Sequence, residues 1–256
     1  MITLFAIMLS QGMAQMWCLM PRSQVTSGFF RIQMLVTLGL SVVAYLAVGQ
    51  LSPGELANPA LDTTLKISII SFAIASYVGS ALWRLEQRGL GTICLFAVLI
   101  STLISLIAIE FRQHAVGSSQ VLWAVLSDLT GAAVLGGATS GMLLGHWYLT
   151  APTMSIEPLK RVTVLFFIAL LIRLGFAAYG WGQAGEAIQG SLIWTWLALR
   201  WLAGIIAPLV LAVMTLRILR YRNTQAATGV LFAGVILVFL GEMSAELLSA
   251  ELRQPL

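Results

Sequence analysis

Apolar residues in this chain run in long blocks instead of alternating singly with polar ones, and short stretches rich in charge, Pro, Gly and Ser divide the blocks. Splitting at those breaks leaves apolar segments near 2–20, 33–51, 67–83, 92–110, 120–149, 162–181, 191–216 and 227–249. Each is close to the roughly 20 residues a helix needs to cross a hydrocarbon core about 30 Å thick. The pattern predicts an all-α fold: a polytopic membrane helix bundle of about eight transmembrane helices, forming a single integral membrane domain over 1–256. The first segment is the weakest, because Ser10, Gln11 and Gln15 dilute it. Segments of alternating polarity at a spacing of about ten residues, as a membrane β-barrel needs, do not recur along the chain.

Composition agrees with the pattern. Hydrophobic residues make up 59% of the chain and charged residues 9%, against about 25% charged in an ordinary soluble domain. No Lys or Arg precedes Arg22 and no small-residue cleavage site follows the first apolar block, so that block reads as a retained span and not a secretory signal.

The remaining basic residues orient the bundle. Loops one, three, five and seven hold Arg22 and Arg31, Arg84 and Arg88, Lys160 and Arg161, then Arg217, Arg220 and Arg222, whereas the opposite loops hold only Lys66, Arg112 and Arg253. The positive-inside rule then puts both termini on the non-cytoplasmic side, in a bacterial inner membrane as the expected location. Basic loops of this kind fit anionic headgroups and the lipid bilayer, not nucleic acid. In the fifth loop, Pro152 and Pro158 stiffen the chain ahead of Lys160. Cys18 and Cys94 fall near the cytoplasmic ends of their spans and are expected to be free thiols.

Two of the basic residues, Arg173 in LLIRLGFAAY and Arg200 in LALRWLAGII, lie inside spans, together with the acids Asp128, Glu242 and Glu246. A charge at the bilayer centre costs at least about 2.5–3.5 kcal/mol, so such residues face the bundle interior and pair. At about 1.5 Å per residue, Arg173 lies about 18 Å and Glu242 about 21 Å from the cytoplasmic edge, while Arg200 lies about 15 Å below the outer one. The three therefore share a level in the outer half. Asp128 joins them if its helix is not pulled outward by an anchor at Trp147 and Tyr148. Glu242 and Glu246, four apart, point the same way. The expectation is a ligand-binding or proton-handling cluster with Tyr179, Trp181, Trp194 and Trp196 around its mouth. The competing expectation is that the charges only fix helix register, or that Arg200 snorkels to the outer interface.

Gly137, Gly141 and Gly145 form a doubled GxxxG, the spacing that lets helix backbones approach closely in lipid. His146 follows at the cytoplasmic end, where an imidazole can bond a quinone carbonyl, shuttle a proton or ligate haem. The other histidine, His114, lies in the opposite loop, so a haem held by both is excluded and a single-His haem is the lesser possibility. Neither Cys–X–X–Cys nor other metal-ligand spacing occurs, and no hydrolase, metalloprotease or nucleotide-binding motif is present.

Three classes of function fit. The first is an integral membrane subunit of a redox or energy-transducing complex, with other membrane subunits as partners and quinone as the possible cofactor. The second is a transporter of a small anionic or zwitterionic solute. The third is a structural or assembly subunit.

Overall fold

The computed structural model describes residues 1–50, 58–113, 119–151, 153–184 and 191–252. Among them are eight helices long and apolar enough to cross a membrane. These are α1 (Ile2–Leu19), α2 (Ser27–Ala47), α3 (Pro59–Arg84), α4 (Arg88–Gln113), α5 (Ser119–Trp147), α6 (Glu157–Ala184), α7 (Ser191–Arg220) and α8 (Thr224–Leu252). The protein is thus all-α and multi-pass. His114, Pro152 and Arg253 lie outside the described residues.

Most helices begin several residues before their apolar segment. Polar starting residues explain this: Asn58 caps α3 by accepting from the Ala60 N–H at 3.0 Å, with Pro59 preset in the first turn. Likewise Asn223 accepts from the Ala226 N–H at 2.9 Å at the start of α8. Apolar runs mark the part of a helix suited to lipid, not the ends that hydrogen bonding can support. Several residues expected in loops, Arg31, Lys66, Lys160 and Arg161 among them, accordingly belong to terminal helical turns.

The chain divides into two compact units, Met1–Ala132 and Ala133–Leu256, so α5 contributes to both. In the first unit α1 packs on α2, α2 on α3, α3 on α4 and α4 back on α1, a closed ring of four helices. Hydroxyls join its members: Thr37 and Ser76 share a 3.0 Å hydrogen bond, Ser68 and Ser105 one of 2.7 Å, and Thr102 donates to the Gln11 side chain. Ser10 and Gln11, which weaken α1 as a hydropathy signal, are buried. They weaken the signal because this helix turns its polar groups to protein.

The outward faces are the reverse. Leu46, Ile67, Tyr77 and Ile93 are among the most exposed side chains. Large apolar side chains outside and bonded hydroxyls between helices is the arrangement for a chain whose solvent is lipid.

In the second unit the glycine stripe of α5 meets two helices. A Cβ on Gly137 would come 3.0 Å from Phe166, one on Gly141 3.7 Å from Val162 and 3.5 Å from Leu231, and one on Gly145 2.6 Å from the Thr228 hydroxyl and 3.4 Å from its Cα. The order of these partners shows α5 running antiparallel to both α6 and α8. We expect Gly145→Ala to lower the thermal midpoint of the purified protein by several degrees, and Gly141→Ala, with ordinary contact distances, to change it little. Equal effects would contradict this packing.

Beyond α5, Tyr148 is buried and donates to the Ser155 carbonyl, closing the turn that leads into α6. Burial also pushes its phenol well above the ordinary value.

Candidate functional site

Three of the five charges expected within spans meet in the second unit. Arg173 of α6 donates from Nε to Glu242 Oε1 at 3.3 Å and from Nη2 to Oε2 at 2.8 Å. Arg200 of α7 donates from Nη1 to Glu242 Oε1 at 2.6 Å. All three residues are at most 2% exposed. Arg200 therefore turns inward and does not snorkel to an interface. The expected agreement in depth is realised as direct contact, since three helices must place these side chains at one level for the bonds to form.

Two local features bring them there. Between Leu199 and Ile206, α7 is π-helical, with the Ala207 N–H bonded back to the Leu202 carbonyl. Pro208 gives a physical reason: it has no N–H to offer the Gly204 carbonyl and its ring crowds that oxygen, so the preceding turn widens. Arg200 stands in the first turn of that segment.

The second feature is a backbone crossing. Gly204 and Gly241 touch: a Cβ on Gly204 would lie 2.8 Å from the Gly241 Cα, and one on Gly241 would overlap the Gly204 Cα. Gly241 immediately precedes Glu242, and Gly204 follows Arg200 by one turn. The crossing thus sets the distance over which Arg200 and Glu242 bond. Neither glycine stood out in the sequence beside the more regular α5 stripe, although a small residue next to each buried charge was the signal that marks the contact.

The bonding is uneven. Arg173 uses the Nε–Nη2 edge of its guanidinium on the two oxygens of Glu242. In Arg200 the Nε and Nη2 atoms are fully buried and have no hydrogen-bond partner among the described residues. Leaving a buried donor unsatisfied costs about 1–3 kcal/mol, and more for a charged group.

The other expected residues are placed as follows. Glu246 is half-buried one turn beyond Glu242, and its charge lies within electrostatic reach of Arg200. Asp128 is half-buried on the part of α5 that belongs to the first unit. His146 is exposed at the end of α5. It follows Gly145, which packs at Thr228, 14 residues before Glu242; at 1.5 Å per residue that is about 20 Å along α8 from the triad. The structure does not bring His146 to the triad. Tyr179, Trp181 and Trp194 are exposed and Trp196 is half-buried, near the facing ends of α6 and α7. Trp181 makes an edge contact with Trp201 at 5.3 Å between ring centroids.

The first unit holds a second ion pair, Arg112 Nε to Asp62 Oδ1 at 3.1 Å, which ties the start of α3 to the end of α4. Arg112 was expected in a loop; it is buried inside α4, as is Glu110. Arg112 sits just past the end of the apolar segment near 92–110, so hydropathy alone assigned it to the polar side of the boundary. Among the described residues no group of three or more His, Cys, Asp or Glu is placed to hold a metal ion.

The chain matches no protein-family model, no curated protein and no solved structure. The functional reading therefore rests on the site itself.

Proposed function

We propose that this multi-pass membrane protein is a subunit of a redox or energy-transducing complex, and that the cluster in its second unit holds a quinone head group and handles the protons of its chemistry. The observation carrying this reading is the unspent edge of Arg200. A cluster that served only to lock helices together has every reason to satisfy its donors internally, because each unsatisfied one weakens the lock. A buried arginine with free donors is suited to an acceptor oxygen on a planar, apolar ligand.

The roles divide by position. Arg200 hydrogen-bonds a ring oxygen, and Arg173 fixes Glu242, which orients Arg200. Glu246, half-buried and one turn further on, exchanges protons. Reduction of quinone to quinol takes up two electrons and two protons, and oxidation releases them; the electrons pass to or from a redox-active partner subunit. A bacterial inner membrane with both termini on its outer side is the setting this reading assumes.

Purified protein should carry co-extracting quinone, and Arg200→Leu should lower its quinone content at least tenfold. A quinone-free protein that moves a small anion into liposomes would overturn the reading in favour of transport.

A further inference from the structure

Arg173 and Arg200 show the same group in two states of use. In a guanidinium, Nε–H and one Nη2–H point the same way from one edge, a fork matched to two coplanar oxygens. Arg173 closes that fork on the carboxylate of Glu242. Arg200 meets Glu242 through Nη1, on a different edge of the same plane, and the equivalent fork has no partner among the described residues in a position 1% exposed. The bond to Glu242 holds the guanidinium in place, so the fork has a fixed direction. The three bonded groups sum to one positive charge; Glu246 acts on Arg200 electrostatically without hydrogen-bonding to this edge.

A lone carbonyl oxygen satisfies such a fork poorly, since both N–H groups must bend toward one atom. Two adjacent oxygens satisfy it as Glu242 satisfies Arg173, and a negative charge on them strengthens both bonds. We propose that the Nε–Nη2 edge of Arg200 anchors the head group of the ligand and selects quinones in which an ionised hydroxyl stands beside a ring carbonyl. This rests on the quinone reading above and narrows it to hydroxyquinones.

The test compares two probes on the purified full-length chain in detergent: a tailed 2-hydroxy-1,4-naphthoquinone in its ionised form, and its 2-methoxy ether, titrated by quenching of tryptophan fluorescence. Binding of the ether alone tests the quinone reading; the difference between the two probes tests the fork. The hydroxyquinone is expected to bind about tenfold or more tightly than the ether, the size of one charged hydrogen bond. Arg200→Lys, which keeps the charge and loses the fork, should reduce the preference to about twofold or less while the thermal midpoint shows the variant folded. Equal affinities in the unaltered protein overturn the proposal and leave the quinone reading standing. A preference that survives Arg200→Lys overturns it also. If neither probe binds, both readings fall. The comparison on the unaltered protein decides the matter even where the lysine variant does not fold.

Discussion

Replacing Glu242 by alanine is expected to destabilise the second unit by about 3–5 kcal/mol, the cost of removing one partner from a buried ion pair. Two guanidiniums would then both lose the carboxylate that bonds them, in a site at most 2% exposed. The thermal midpoint of the purified variant should fall steeply, and most of the protein should fail to accumulate in the membrane. Glu242→Gln, which keeps an acceptor oxygen, should lie between. Replacing Arg173, Arg200 and Glu242 together by leucine or methionine should recover much of the loss, because an apolar substitute for a buried charge cluster is often neutral or stabilising. That triple variant separates structure from function: it should be stable and bind no quinone. A stable triple variant that still binds quinone would contradict the role given to the cluster.

Gly241→Ala is expected to be nearly as damaging. The added Cβ would overlap the Gly204 backbone, and backbone atoms of two packed helices cannot step aside as a flexible side chain does. The helices must separate, which lengthens the 2.6 Å Arg200–Glu242 bond as well as opening the crossing. A loss of more than about 4 kcal/mol belongs to this kind of defect. Gly175→Ala provides the contrast. Among the described residues nothing lies within 4 Å of the position its Cβ would take, so its effect should be neutral or a gain of up to about 1 kcal/mol from helix propensity. Similar midpoints for the two variants would show that the crossing does not hold the unit together.

Much of this architecture was legible in the order of residues. The eight spans follow from block length, and the meeting of Arg173, Arg200 and Glu242 follows from depth alone, because helix rise is constant and the cost of a buried charge demands a partner. Less legible was whatever depends on rotation about a helix axis or on local backbone form. Depth gave Arg200 its level but not its direction, and hydropathy offered no sign that the turn ahead of Pro208 is widened. The Gly204–Gly241 contact involves one glycine from each helix, so it lacks the four-residue repeat that marks α5. Arg112 was misread for a related reason: a charge at the end of an apolar run looks the same in sequence whether it meets water or an ion partner such as Asp62.

If Arg200 donates hydrogen bonds to a quinone oxygen, the infrared carbonyl stretch of an isotope-labelled quinone added to the purified protein should report it. The stretch is expected to shift to lower frequency on binding, and the shift to be lost when Arg200→Lys replaces the guanidinium. A carbonyl stretch in the unaltered protein at the frequency of free quinone would contradict it.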